Sequence, residues 1–90
     1  MKDIQEYLKN DYKVYVDVVE IRLKDGFIRP VSFTWEDGLE YQIDRVIDAC
    51  PGYSLKAGGY GIRYTVEIQG KRRHMYFEEN KWFMERRNAV

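Results

Sequence analysis

The chain has 90 residues, which suits one domain and leaves no room for a second. Its 15 basic and 15 acidic residues cancel, which argues against the basic excess that most nucleic-acid-binding domains carry. The single cysteine, Cys50, excludes an intrachain disulfide. Neither a signal segment nor an apolar run of about 20 residues is present, so the composition predicts a cytoplasmic protein without a membrane partner.

The first residues of the chain have the features of a short helix, which we predict for residues 2–10. Asp3 is a suitable N-cap with Glu6 three residues later, and Ile4 and Leu8 would share one helical face. A helix this short is marginal in water, so we expect it to fray or to pack on the rest of the domain.

From Tyr12 onward, apolar and polar residues alternate between glycine-containing turns, which is typical of strands and hairpins. In the C-terminal part, Gly70-Lys71 and Asn80-Lys81 are the predicted two-residue loops. They would join strands over residues 60–69, 72–79 and 82–87. The residues that these registers direct toward the core are Ile62, Tyr64, Val66, Ile68, Met75, Phe77, Trp82 and Met84.

In the N-terminal part, Glu36-Asp37-Gly38 is predicted to be a three-residue loop with its glycine in the left-handed region. This register pairs Phe33 with Tyr41 and keeps the apolar side chains on one face. A two-residue loop would instead pair Phe33 with Gln42 and mix the two faces, so we favour the three-residue form.

Asp25-Gly26 is predicted to join strands over residues 12–24 and 27–35. Near this turn the apolar pairs fall on one face of the hairpin, and farther from the turn they fall on the opposite face. An irregularity must therefore lie between the two sets of pairs. We expect a β-bulge near Val18-Val19-Glu20 or at Pro30, which cannot donate a hydrogen bond to a ladder.

The connection from Cys50 to Gly61 is predicted to be the longest irregular stretch, with a turn at Pro51-Gly52. The predicted fold is therefore all-β with a short N-terminal helix. Residues 1–90 would form a single domain, a six-stranded antiparallel meander over residues 12–87 that closes into a small, SH3-like, partly open barrel.

Residues suited to catalysis or to cofactor binding are few. His74 and Cys50 fall short of a structural zinc set. They could act as base and nucleophile, but nothing in the sequence orients the pair. The glycine-rich run 56–61 precedes a strand and lacks the Gly-Lys-Ser/Thr ending of a phosphate-binding loop. The sequence therefore predicts no enzyme, no catalytic residues, no metal and no cofactor.

One group of cationic residues, Arg22, Arg29 and Arg45, is a candidate for nucleic-acid contact. The predicted hairpin registers place these three arginines opposite one another on neighbouring strands. Like charges in that position are unfavourable unless an anion or a carboxylate lies between them.

A second candidate group lies at the predicted tip of a C-terminal hairpin, where Lys71, Arg72 and Arg73 follow one another. The alternation places Tyr76 and Phe83 on the outer face nearby, where we expect them to be exposed and to offer a stacking surface. Single-strand-binding barrels combine cations and aromatic rings in this way.

Two functions follow from these features. The first is a non-catalytic binding or accessory module that holds a protein partner, or another copy of itself, on its barrel surface or on an exposed strand edge. The alternative is a nucleic-acid-binding barrel that uses the two cationic groups and Tyr76. The balanced charge favours the first function.

The run from Val31 to Asp48, VSFTWEDGLEYQIDRVID, is followed by a hairpin over residues 63–79 and by KWFMER at residues 81–86. This order resembles small β domains of uncharacterised function from Gram-positive bacteria. In those domains a Pro, aromatic, Trp, Gly, Tyr, Val, Val, Leu, Asp pattern precedes a hairpin and a Trp-x-Leu strand, and some relatives are appended to translesion-type DNA polymerases. The resemblance covers about residues 25–87 and implies the β fold rather than an activity. The Cys50–Gly61 connection departs from the pattern, which is rich in Trp and Glu there.

Overall fold

A computed structural model describes residues 13–53 and 60–86, without the side chains of residues 53 and 60. The described residues form eight β-strands. These are β1 (Lys13–Tyr15), β2 (Asp17–Arg22), β3 (Ile28–Thr34), β4 (Glu40–Gln42), β5 (Arg45–Tyr53), β6 (Tyr60–Ile68), β7 (Lys71–Glu78) and β8 (Lys81–Glu85). The helix predicted for residues 2–10 lies outside the described residues. None of the described residues belongs to a helix long and apolar enough to cross a membrane.

The strands form two antiparallel sheets, a larger one in the order β1-β8-β7-β6-β5 and a smaller one in the order β2-β3-β4. The chain passes between the sheets at Val16, whose amide donates to the Trp82 carbonyl oxygen (3.1 Å), and again at Asp44, whose amide donates to the Glu67 carbonyl oxygen (2.8 Å). The all-β prediction is confirmed. The strand number is eight rather than six because two long predicted strands divide at these crossings, and the described strands do not close into a barrel.

The core lies between the sheets and is made mostly by the inner face of the larger one. Its buried members are Phe33, Tyr64, Val66, Ile68, Met75, Trp82 and Met84. Six of the eight residues predicted to point inward from the C-terminal meander are in this set. The other two are Phe77, which is half-buried against the core, and Ile62, which is 39% exposed. Strand alternation alone was sufficient to predict this face.

Both C-terminal hairpins turn one residue earlier than predicted. The loops are Gln69-Gly70, with φ of 52° and 77°, and Glu79-Asn80, with φ of 52° and 62°. Positive φ at both positions is typical of a type I′ turn, whose twist matches that of the flanking strands. Moving a loop by one residue shifts the pairing by two, so Tyr64 pairs with Met75 rather than with Phe77. A shift of two preserves the faces, which explains why the inward set is still correct.

The N-terminal hairpins agree more closely with the prediction. Phe33 pairs with Tyr41 across the Glu36-Asp37-Gly38 loop, and Gly38 has φ of 85°, which confirms the three-residue form. The predicted bulge is also confirmed, since the β2–β3 register shifts between Val19 and Glu20.

The first turn differs from the prediction, because the Leu23 amide donates to the Phe27 carbonyl oxygen (2.9 Å) and the loop therefore has three residues. The segment predicted to be irregular is also partly regular. Cys50 pairs with Arg63, and Gly52 pairs with Gly61. β5 is an edge strand, where a proline does not interrupt a ladder, so Pro51 continues the strand instead of turning it.

A buried hydroxyl group links the two sheets. Tyr64, which is 1% exposed, donates its phenolic proton to the carbonyl oxygen of Ile28 in the smaller sheet. Burial, and to a lesser degree the nearby charge of Glu20, raise the pKa of the Tyr64 phenol. Ionisation would remove the donated proton and place a charge in the core, so the fold favours the neutral phenol.

Replacing Tyr64 with phenylalanine should lower the free energy of unfolding by about 1 kcal/mol at neutral pH, because the hydrogen bond to Ile28 is lost. The folded-state pKa of Tyr64 lies above the unfolded value of about 10. The stabilisation by the neutral phenol is therefore complete below pH 10 and declines as the pH rises toward the folded-state pKa. Urea unfolding of both proteins across this range checks the prediction. A difference between them that stays constant above pH 10 would contradict it.

Candidate functional site

A cleft of about 490 Å³ lies between the β3–β4 hairpin, the β6–β7 turn and the C-terminal end of β8. This volume is within the range of ligand-binding sites in proteins. Its apolar lining residues are Phe33, Trp35, Tyr41, Ile68 and Met84. The cleft is therefore an opening in the wall of the core rather than a separate cavity.

Aromatic rings form one wall of the cleft. Phe33 is buried at its base and stacks on Tyr41, with ring centroids 5.4 Å apart and an interplanar angle of 17°. Tyr41 and Trp35 are only half-buried, so parts of their rings face the cleft. β4 has only three residues, too few to cover this end of the smaller sheet. The partial exposure of both rings follows from that short strand.

Cationic side chains form the opposite wall and the rim. Lys71 and Arg73 share a face of β7 with buried Met75, so they point toward the smaller sheet, whereas Arg72 alternates to the other face. Arg86 follows β8, and the β7–β8 register continued to that point places it opposite Arg73. Four cations line the cleft against one carboxylate, that of Glu85.

The charges of these cations are unequally compensated. The Arg86 guanidinium binds Glu36, with Nη2 2.9 Å from Oε1. Within residues 13–53 and 60–86, no carboxylate forms a salt bridge with Lys71, Arg72 or Arg73. Arg73 donates from Nη1 to the Arg72 carbonyl oxygen (3.1 Å), which orients the guanidinium without neutralising it. The cleft therefore has a positive potential on a protein of zero net charge.

The β6–β7 turn is held in place beside the cleft by Asp44. Its carboxylate Oδ2 accepts a hydrogen bond from the Gln69 amide (2.9 Å), and its own amide donates to the Glu67 carbonyl oxygen (2.8 Å). Asp44 lies in the short link between β4 and β5, so these bonds connect the end of the smaller sheet to the start of the turn. The cations of β7 are therefore fixed relative to the aromatic wall.

Arg22 and Arg29 do not face each other as predicted. The three-residue first turn shifts the register by one, so Arg22 pairs with Ile28 and Arg29 with Ile21. Arg22 binds its neighbour Glu20, with Nε 3.2 Å from Oε2.

Arg45 lies in the other sheet from Arg29. β4 ends at Gln42, and the chain crosses before Arg45, which pairs with Glu67 on β6. Its Nε lies 2.6 Å from Glu67 Oε1. Together with the shifted register of Arg22, this position shows that the predicted cluster of three arginines is not formed.

The predicted exposure of Tyr76 and Phe83 is wrong. Tyr76 is 3% exposed and Phe83 is fully buried, and their rings stack with centroids 5.0 Å apart. β1 pairs with β8 and places Tyr15 directly opposite Phe83, with the Lys13 ammonium 4.5 Å from the centre of the Phe83 ring. Pairing between the two ends of the chain could not be inferred from hairpin patterns, so the cover over this face was missed.

His74 and Cys50 are not brought together. They lie on β7 and β5, on either side of β6. His74 Nδ1 is 3.3 Å from the Thr65 hydroxyl oxygen, and the Cys50 sulfur accepts a hydrogen bond from Arg63 (3.8 Å). Over the described part of the chain, no three His, Cys, Asp or Glu side chains are grouped as metal ligands.

Trp35 and Tyr41 are the site residues that the sequence interpretation missed, since alternation placed them simply in the core. A usable signal was present. Trp35 comes directly before the Glu36-Asp37-Gly38 loop, and a ring at the end of a hairpin is less covered than one at its middle.

Comparisons of this chain with family models, curated proteins and solved structures gave no match. The resemblance to the small Gram-positive β domains therefore stays a prediction, and the function has to be argued from the cleft itself.

Proposed function

We propose that this protein is a non-catalytic module that binds single-stranded nucleic acid in the cleft. Bases would stack on the exposed parts of Trp35 and Tyr41, while Lys71 and Arg73 meet the phosphates. The chain is bent at Val16 and at Asp44 and is shared between the two sheets, which supports a partly open, SH3-like arrangement around this cleft.

The observation that carries the proposal is uncompensated positive charge beside an open aromatic wall. Several cations elsewhere in the described residues have carboxylate partners, as in the pairs Arg22–Glu20, Arg45–Glu67 and Lys13–Glu78. Lys71, Arg72 and Arg73 have none among these residues, and they follow one another beside the cleft, so three uncompensated cations lie close together there. Zero net charge is therefore compatible with local binding of a polyanion.

A single strand fits this chemistry better than a duplex or an acidic peptide. The rings can stack only on bases that are not already stacked within a helix. An acidic peptide would satisfy the cations but would leave the aromatic wall without a partner of matching shape. With two or three phosphate contacts, the logarithm of the binding constant should fall with the logarithm of salt concentration with a slope of about −1.4 to −2.

The first test is a titration of a mixed-sequence single-stranded oligonucleotide at low and at moderate salt. The variant Lys71→Ala/Arg73→Ala should bind at least about tenfold more weakly, with a shallower salt slope, because two phosphate contacts are removed. Lys24→Ala/Arg29→Ala is the matched control, since it removes two exposed cations that lie outside the cleft. This control should bind as the unchanged protein does.

Tryptophan fluorescence gives a second readout. The chain has two tryptophans, and Trp82 is buried, so stacking of a base in the cleft should quench Trp35. Equal losses in both double variants would contradict the assignment to the cleft, and so would binding without quenching. Preference for an acidic peptide over the oligonucleotide at the same salt concentration would overturn the proposal in favour of a peptide-binding role.

A further inference from the structure

The sheet edges in the described residues differ in how well they are protected against pairing. β1 and β4 are edges of only three residues each. β5 is longer, but its ladder is irregular between Val46 and Asp48, and it contains Pro51. β2 has six residues and no proline, and the extra residue of its bulge lies on β3. Short strands, prolines and bulges all protect an edge, and β2 has none of these, although it carries the charges of Asp17, Glu20 and Arg22. Among these edges, β2 is therefore the one whose backbone is best placed to pair.

The outer face of this edge is apolar. Val19 and Ile21 of β2, and Leu23 directly after it, alternate on this face and are 56%, 47% and 41% exposed. Three large side chains in one row on an open edge form a surface that a soluble protein normally covers.

The backbone groups at this edge are also directed outward. The Leu23 amide points toward β3, because it donates to the Phe27 carbonyl oxygen. Successive amides of a strand point in opposite directions, so those of Glu20 and Arg22 point toward the open edge.

We propose that two copies of this chain associate through β2, pairing antiparallel about a twofold axis that passes through Ile21. The two smaller sheets would then form one continuous sheet of six strands. In this register Val19 lies opposite Leu23 of the second copy, and the two Ile21 side chains meet on the axis.

Charge complementarity selects this register and this occupant. A twofold axis perpendicular to the sheet places one residue of the strand opposite the same residue of the second copy. The residue at the axis therefore defines the register of the pairing. Within each chain Arg22 already binds Glu20 (3.2 Å), and with the axis at Ile21 Glu20 of each copy also lies opposite Arg22 of the other. The four charges then alternate in sign around the axis, and opposite charges on facing positions are stabilising. An axis at Glu20 would oppose two carboxylates, and an axis at Arg22 would oppose two guanidinium groups. The strand is therefore complementary to itself in one register.

Cysteine cross-linking tests both the pairing and its register. In a Cys50→Ser background, Ile21→Cys should oxidise to a covalent dimer, because residues that meet on the axis have Cα atoms about 4.5–5.5 Å apart. Val19→Cys alone should stay monomeric, since its equivalents would lie about 13 Å apart along the ladder. A mixture of Val19→Cys and Leu23→Cys chains should cross-link. Cross-linking of Val19→Cys to itself, in preference to Ile21→Cys, would overturn the register.

Light scattering over a range of protein concentrations tests the association without a covalent trap. The unchanged chain should pass from monomer to dimer as concentration rises. Ile21→Lys should remain monomeric, because it places two ammonium groups together on the axis. Leu39→Lys, at a side chain 58% exposed in the connection between β3 and β4, should still dimerise. A chain that stays monomeric at every concentration overturns the proposal, and so does a dimer that survives Ile21→Lys.

Discussion

Replacing Phe83 with alanine is expected to lower the free energy of unfolding by about 3–5 kcal/mol. The ring is fully buried and stacks on Tyr76, with centroids 5.0 Å apart, and Tyr15 contacts it edge-on at 5.8 Å. Truncation would remove these contacts and leave a cavity on the outer face of the larger sheet. Domains of this size have a free energy of unfolding of about 5–15 kcal/mol, so the substitution would remove a large part of it. Urea unfolding followed by far-ultraviolet circular dichroism measures the change.

Tyr15→Ala is the matched control for that measurement. Tyr15 lies opposite Phe83 on β1 and touches the same ring, but its side chain is 55% exposed. Its loss should therefore cost less than about 1 kcal/mol. If Phe83→Ala cost no more than Tyr15→Ala, the outer face of β7 and β8 would be open to solvent, as the sequence alone had indicated.

The two errors about the larger sheet have different physical origins. Alternation predicts which residues share a face, and a loop misplaced by one residue does not disturb it, so Tyr64, Val66 and Met75 were correctly placed inside. Whether a face is covered depends on elements distant in sequence. β1 pairs with β8 across nearly the whole chain, and no local pattern near Phe83 indicates it.

The candidate site was predictable only in part, for a related reason. Lys71, Arg72 and Arg73 stand together in the sequence and were recognised as a cationic tip. Their lack of carboxylate partners among the described residues was not evident from the sequence. Glu67 lies opposite Arg72 but binds Arg45, which the sheet crossing at Asp44 brings beside it. A one-residue change in a turn was also enough to separate Arg22 from Arg29. Charge pairing is sensitive to register in a way that burial is not.

Gly61 is the position where a single added methyl group should do most damage to the backbone. It lies in β6, between β5 and β7. A Cβ atom there would overlap the carbonyl oxygen of Phe77, and it would also crowd the Glu78 Cα and Cβ atoms at 3.2 and 3.1 Å. Backbone atoms of a paired strand cannot move aside as a side-chain end can. The requirement for glycine comes from this close approach of two strands.

Gly61→Ala should therefore cost about 1–3 kcal/mol, because β6 and β7 must separate locally to admit the methyl group. Gly52→Ala is a close control, since Gly52 pairs directly with Gly61 on the edge strand β5. A Cβ at Gly52 would be nearest to the Arg63 Cβ, at 3.3 Å, and would otherwise contact only the flexible part of that side chain. Its cost should stay below about 1 kcal/mol. Equal costs in urea unfolding would mean that the approach of the Phe77 carbonyl oxygen does not set the cost at Gly61, since stiffening of the unfolded chain by alanine would stabilise both variants. A larger cost for Gly61→Ala, with reduced hydrogen-exchange protection in β6 and β7 alone, would locate the effect at the Phe77 carbonyl.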